Sequence, residues 1–170
     1  MIVCAGDIES FDFATPIGIG LEDAAIRLSE LVIEKRPEQL TFIGSAGSYG
    51  DHEIFDIVKS SSASQIEHSV LLDLSYSPIE NQIVSHETDT IINSSNYITT
   101  DKKVAKLYLD QGISLENMEF YSVVKVARYF NIKVKGIFIV TNYCDEFAHK
   151  DFIKNHKKAM QMLEDYISEK

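Results

Sequence analysis

The stretch "QLTFIGSAG", residues 39 to 47, is an apolar run that passes into four small residues. A short, nearly continuous apolar run is typical of a strand buried on both faces of a sheet. The runs "MIVCAG" (residues 1–6) and "VKGIFIVT" (residues 134–141) predict two similar strands. Helical patterns lie between these runs. Strands that alternate with helices predict an α/β fold with a largely parallel sheet and helices on both of its faces.

The other segments are assigned from the spacing of their apolar residues. A helix is predicted from Leu21 to just before Pro37, because proline ends a helix. Further helices are predicted over residues 103–109, from Glu119 onward, and over a terminal segment that carries Phe152. The middle of the chain is predicted to be β-rich, with strands in "EIFDIV" (53–58), "SVLLDLS" (69–75) and "TIINSSNYIT" (90–99), and "ISLEN" (113–117) is interpreted as a polar loop.

The composition predicts one globular domain spanning residues 1–170, since 45% of the residues are hydrophobic. A formal net charge of −10 argues against nucleic acid as a partner. No apolar run approaches the length of a membrane span and no basic leader precedes the first strand, so no membrane partner is expected. The two cysteines, Cys4 and Cys144, favour reduced thiols, and the protein is expected to be cytoplasmic.

Ligands of α/β sheets collect at the carboxyl ends of the strands. Three segments follow predicted strands and are expected at that edge: residues 6–10, 44–50 and 141–144. The small residues of the second segment would let a ligand receive main-chain N–H hydrogen bonds, although such a turn is also common without a ligand. The segment "GIGLED" (18–23) begins like a dinucleotide fingerprint but has Asp23 where the last glycine belongs. No cofactor or metal is therefore expected.

Glu119 stands where an apolar stripe begins. Phe120, Val123, Val124 and Ala127 recur at helical spacing, which places Glu119 at the edge of the buried face, one turn before Val123. A half-buried acid needs a partner. The alternative is a solvated acid in a first helical turn, where a negative charge suits the helix dipole.

Five segments, in this order, resemble the nucleoside phosphorylase and nucleosidase superfamily. They are "PIGIGLEDAAIRLSELV" (16–32), "LTFIGSAGSYG" (40–50), "NMEFYS" (117–122), "IFIVTNYCDEFAH" (137–149) and "FIKNHKKAMQMLEDYI" (152–167). The resemblance implies a three-layer α/β sandwich with a mixed, largely parallel central sheet, trimmed relative to the family. It also implies cleavage of the bond between ribose and a purine-type base, by a purine nucleoside phosphorylase or a nucleosidase of purine salvage.

The resemblance assigns the sugar site first. Glu119 would accept hydrogen bonds from the ribose hydroxyls, and Met118 would pack on the sugar. Ser45, Ala46 and Gly47 would complete the substrate-binding loop. Such contacts would stabilise the positive charge that the sugar acquires as the bond breaks.

The leaving base implies a second role, which falls on Asn142. Many family members have an aspartate there as general acid, whereas an amide donates a hydrogen bond but no proton. Another branch uses asparagine, typically with oxidised purines such as inosine or guanosine. Asp145 is close enough in sequence to be a substitute, and Asn142 could instead be a simple turn residue.

The nucleophile implied by the family is either phosphate or water. Phosphorylases that resemble this chain carry an arginine just before the Gly-Ser loop, and residues 41–43 contain none. Phosphate would then depend on loop groups at Gly20 and Ser45. Water would need a base, for which the resemblance favours Glu9, with Asp7 as the alternative.

Three further expectations concern the base, the assembly and a competing function. Tyr97, Phe120 or Tyr143 would stack on the base, because lysines occupy the usual position. A trimmed sheet would need a second subunit to close the pocket, so a homodimer or larger homo-oligomer is expected. The competing function is a nucleoside-binding or interaction subunit that keeps the fold without catalysis, and a flavodoxin-like module is a more remote alternative.

Overall fold

The computed structural model describes residues 1–169 of the chain. The helices are α1 (Leu21–Lys35), α2 (His68–Leu71), α3 (Lys102–Asp110), α4 (Phe120–Tyr129) and α5 (Ala148–Ser168). The strands are β1 (Ile2–Cys4), β2 (Thr15–Pro16), β3 (Gln39–Ser48), β4 (Ile57–Ser60), β5 (Ala63–Ser64), β6 (Gln82–Ile83), β7 (Ile91–Ser94), β8 (Ile113–Asn117) and β9 (Lys133–Tyr143).

Strand β3 is the centre of a mixed, mostly parallel sheet. It runs parallel to β1 and, along its whole length, to β9. Its last two residues, Gly47 and Ser48, pair with the antiparallel strand β8. Strands β7, β5 and β6 follow beyond β8, β2 lies outside β1, and β4 lies outside β9. The end of β3 therefore lies between β8 and β9, and residues of all three strands become neighbours there.

Helices cover both faces of this sheet because the central strands are apolar on both sides. Phe42 and Phe138 project to the face covered by α1 and α4, where the Phe138 ring centroid lies 4.9 Å from that of Phe120. Ile43 and Ile139 project to the opposite face and pack against α5. The alternation of consecutive residues between faces is the two-residue period of a strand. The predicted three-layer α/β sandwich is confirmed.

Most predicted elements are confirmed, with four corrections. "SVLLDLS" does not form a strand: residues 68–71 are helical and a turn follows, with Asp73 at φ 57°. "ISLEN" is strand β8 and not a loop. Gly44–Ser48 and Thr141–Tyr143 continue strands β3 and β9, so the two segments expected as loops are strand ends. Of "EIFDIV", only its last two residues lie in a strand.

The correction at β8 has a physical reason. Ile113 and Leu115 are fully buried in alternation, as in a strand. Glu116 and Asn117, which give the segment its polar appearance, are also buried, and both find hydrogen-bond partners inside the protein. Buried polar residues are tolerated when they are satisfied in this way.

None of the helices within residues 1–169 combines the length and apolar character needed to cross a bilayer.

Candidate active site

A cavity of about 300 Å³ opens where β1, β3, β8 and β9 end. Its lining comes from separate places in the chain: residues 5–9, Ile19, residues 45–47, 97–98, 116–119 and 141–142, and Ala148, His149 and Phe152. The volume is at the lower end of the range for small-molecule sites, about 300–1,000 Å³. The predicted residues Glu9, Ser45–Gly47, Met118, Glu119 and Asn142 all line this one space.

Glu9 is held against strand β3 by Ser45. The Ser45 main-chain N–H donates to Glu9 Oε2 at 3.1 Å, and the Ser45 hydroxyl donates to Glu9 Oε1. Gly44 makes this approach possible, because a Cβ there would lie 2.9 Å from Glu9 Oε2. The half-buried carboxylate is thus fixed at the cavity wall. Asp7, the alternative base, also lines the cavity but is exposed.

Glu119 is the N-cap residue of α4 and is only 4% exposed. Its Oε1 accepts from the Gly20 N–H at 2.9 Å, and its Oε2 accepts from Asn117 Nδ2 at 2.7 Å. Burial raises the pKa of Glu119 from 4.5 to about 7, against the lowering effect of the Gly20 N–H, and the nearby Glu9 carboxylate adds to the rise. Glu119 is therefore the buried, partnered acid that the stripe predicts, at the N-cap and not within the first turn.

This raised pKa predicts a pH-dependent stability. A folded-state pKa above the unfolded value means that the neutral acid is favoured by folding, so the contribution is complete below pH 4.5 and is lost as the pH rises through about 7. We expect the free energy of unfolding of the wild type, relative to Glu119→Gln, to fall by roughly 3 kcal/mol over that range. Urea denaturation of both proteins at the two ends of the range measures this. If the difference in free energy of unfolding between the two proteins is the same at low and high pH, the raised pKa of Glu119 is contradicted.

Asn142 faces the cavity from the end of β9. Its Oδ1 accepts from the Thr141 hydroxyl at 2.9 Å, and its Nδ2 donates to the Tyr143 carbonyl at 3.1 Å. The amide is therefore fixed in one orientation, with its second N–H available. Asp145 does not substitute for it: Asp145 Oδ1 accepts from the Phe147 N–H at 2.8 Å, and the residue does not line the cavity.

The predicted phosphate-binding residues have other partners. The Gly20 N–H is bound to Glu119, and the N–H and hydroxyl of Ser45 are bound to Glu9. Gly20 does not line the cavity. Phosphate binding by this pair stays a prediction, and the observed contacts do not support it.

Of the three candidates for stacking on a base, only Tyr97 lines the cavity. Phe120 is fully buried in the core, and the Tyr143 hydroxyl donates to Glu53 at 2.7 Å. Phe152, His149 and Glu116 also line the cavity and were not singled out in the sequence. Phe152 and His149 reach the cavity because α5 packs beside it, which the sequence alone does not show. Glu116 was missed because its strand was interpreted as a loop.

A sequence model described as Phosphorylase superfamily matches residues 80–169, just over half of the chain. The chain belongs to the phosphorylase superfamily. The match includes β8, α4 and β9, the elements that carry Glu119 and Asn142. Membership confirms the resemblance inferred from the order of the motifs.

Several solved structures are similar to this chain in fold. A futalosine hydrolase mutant of Helicobacter pylori aligns with a TM-score of 0.81 at 18% identity, over 98% of this chain and 95% of that chain. A putative 5'-methylthioadenosine/S-adenosylhomocysteine nucleosidase from Francisella philomiragia aligns with a TM-score of 0.81 at 14% identity, over 99% and 96%. The 5'-methylthioadenosine/S-adenosyl homocysteine nucleosidase of Helicobacter pylori, complexed with a substituted pyrrolidin-3-ol, aligns with a TM-score of 0.79 at 17% identity, over 92% of this chain and 77% of that chain.

These identities establish the shared fold. No curated protein matches the sequence of this superfamily member.

Proposed function

We propose that the protein hydrolyses the N-glycosidic bond of a purine-type nucleoside and releases the free base and the sugar. The observation that carries this proposal is the convergence of Glu9, Glu119 and Asn142 on one cavity. Each group meets one demand of the reaction. Glu119 holds the ribose and stabilises its developing positive charge, Asn142 binds the departing base, and Glu9 activates the acceptor.

Water is the acceptor that the contacts favour. The loop donors that phosphate would need are already bound to carboxylates, as described for Gly20 and Ser45. None of the described residues that line the cavity is a lysine or an arginine. A dianion would thus enter a site whose described lining has four acidic residues and no lysine or arginine, which is electrostatically unfavourable. The names of the similar structures, nucleosidases and a hydrolase, point the same way.

A second copy of the chain is proposed to close the cavity mouth. Ile8, Ile19, Tyr97 and Ile98 line the cavity and are between 49% and 74% exposed. Large apolar side chains grouped around an opening are typical of surfaces that another molecule covers. We therefore propose a homodimer, in which the partner contributes the outer wall of the nucleoside site.

Base release by the wild-type protein tests the proposed function. Adenosine, inosine, guanosine and methylthioadenosine are each incubated with and without inorganic phosphate. We expect at least one to yield free base and free sugar without phosphate, and we expect added phosphate not to increase the rate. A phosphate requirement with sugar 1-phosphate as product would show a phosphorylase. Calorimetric binding of a nucleoside without base release would support the non-catalytic subunit instead.

A further inference from the structure

We propose that Glu116 is the acid that protonates the departing base. The inference rests on the proposed function. It concerns the proton that the departing base needs, which the Asn142 amide cannot supply. As the glycosidic bond breaks, its electron pair stays on the base, and an amide can only donate a hydrogen bond to that negative charge. Glu116 is a carboxyl group that lines the same cavity.

The sheet places Glu116 next to Asn142 across a single glycine. Gly47 pairs with Glu116 on one side and with Asn142 on the other. A Cβ on Gly47 would lie 3.1 Å from Asn142 Nδ2 and 3.3 Å from Glu116 Cγ. Directly paired residues of a sheet project to the same face, so the two polar side chains pack over Gly47 together with the Cys144 thiol, which lies 2.9 Å from the same Cβ position. Glu116 and Asn142 are therefore neighbours in the cavity lining.

The surroundings of Glu116 suit a group that gives up a proton and receives it again. Its Oε1 accepts from the Thr99 N–H at 2.9 Å, its Oε2 accepts from the Tyr49 hydroxyl at 3.0 Å, and the Thr99 hydroxyl and the Cys144 thiol are two further donors. These four donors stabilise the carboxylate that remains after proton transfer.

Burial keeps the proton on Glu116 at a higher pH than usual. The side chain is 7% exposed, and its burial raises the pKa of Glu116, while hydrogen bonds from the hydroxyl and N–H of Thr99, from Tyr49 and from Cys144 lower it in part. Tyr49 and Cys144 stay neutral donors, because burial and the Glu116 charge raise the pKa values of both. The Tyr108 hydroxyl, on α3, responds to the same charge. This is the combination of a retained proton and a stabilised anion that a general acid requires.

Other acids of the cavity have different tasks. Glu9 is bound to Ser45 and Glu119 is bound to the Gly20 N–H. His149 also lines the cavity, but it is exposed at the beginning of α5. Glu116 is thus the buried carboxyl group that the sheet places across Gly47 from the Asn142 amide.

The proposed step is balanced in atoms and charge. The bond between the sugar carbon and the base nitrogen breaks, and its electron pair remains on the base. The proton of Glu116 moves to a ring nitrogen of the base. Water attacks the sugar carbon, and its proton moves to Glu9. Exchange with solvent then deprotonates Glu9 and reprotonates Glu116, so the net reaction consumes one water.

The test compares a leaving group that needs a proton with one that does not. Glu116→Gln is assayed with the best purine nucleoside and with p-nitrophenyl β-D-riboside, whose p-nitrophenolate departs as a stable anion. We expect kcat for the nucleoside to fall by about 10²–10⁴-fold, with kcat for the p-nitrophenyl riboside little changed. Glu80→Gln is the matched control. Glu80 is an exposed carboxylate that accepts from Arg128 at 2.9 Å outside the cavity, and its variant should retain both activities.

A second variant tests the role without removing the carboxyl group. Tyr49→Phe deletes one donor to the Glu116 carboxylate, which should raise the pKa of Glu116 and move the alkaline limb of the pH–rate profile to higher pH. A residue that only supports the strand would leave this limb in place. The shift is expected even if Glu116→Gln proves unable to fold.

Several outcomes would overturn the inference. Equal losses of Glu116→Gln with both substrates would assign Glu116 a structural role. A loss in His149→Gln restricted to the purine nucleoside, with Glu116→Gln fully active, would transfer the role to His149. If the wild type releases base but Glu116→Gln is equally active, this inference fails and the proposed function stands. If the wild type cleaves neither substrate, both fail together.

Discussion

Glu119→Gln is expected to lower kcat/KM for base release by about 10²–10³-fold while the protein still folds. The carboxylate of Glu119 is buried at the cavity, where a charge acts through a low dielectric on the positive sugar of the transition state. A glutamine keeps the shape of the side chain but carries no charge. It also presents an N–H₂ group to one of the two donors that Glu119 accepts from, Gly20 N–H or Asn117 Nδ2.

A double-mutant cycle identifies the sugar contact. The wild type and Glu119→Gln are each assayed with a ribonucleoside and its 2'- and 3'-deoxy analogues. If Glu119 binds a ribose hydroxyl, deleting that hydroxyl should cost the wild type much more than it costs the variant. Independent, additive losses would place Glu119 away from the sugar. Full activity of the variant, with an unchanged circular dichroism spectrum, would remove Glu119 from the mechanism altogether.

Glu9→Gln is expected to reduce phosphate-free turnover by about 10²-fold or more. Glu9 is the carboxylate that Ser45 fixes at the cavity wall, and a glutamine cannot accept the proton of the attacking water. The matched comparison is Asp7→Asn, which changes the neighbouring acid that also lines the cavity. If Asp7→Asn loses turnover while Glu9→Gln stays active, Asp7 and not Glu9 is the general base.

Ser45→Ala separates positioning from chemistry at the same place. It leaves the Glu9 carboxylate and the Ser45 main-chain N–H in place and removes only the hydroxyl donor. We expect a smaller loss of turnover than in Glu9→Gln. A loss as large as that of Glu9→Gln would mean that the hydroxyl itself takes part in the reaction.

Local sequence patterns predicted the fold well, because each central strand is a recognisable apolar run. The runs around Phe42 and Phe138 are apolar whichever face they cover, and α1 ends before Pro37 as predicted. One of the two partners of Glu119, the Gly20 N–H, could not be predicted, because Gly20 lies 99 positions away in the sequence. The need for such a partner followed from the stripe alone.

Glu116 shows why the other residues of the site could not be predicted from the sequence. One of its partners, Tyr49, is 67 positions away, and only the folded sheet brings the two together. Without that partner, "ISLEN" has the composition of a loop. The choice among Tyr97, Phe120 and Tyr143 likewise depended on which side chain the fold leaves at the cavity and which it packs into the core.

The described lining of the cavity contains the acidic residues Asp7, Glu9 and Glu119 but no lysine or arginine, so it disfavours further negative charge. A 5'-phosphorylated nucleotide would bring about two further negative charges into a poorly solvated, acidic space, whereas a nucleoside brings none. On the proposed function, we therefore expect the site to take a nucleoside in preference to its 5'-phosphate, so a phosphatase-type reaction would have to act on a nucleotide before its base is released here.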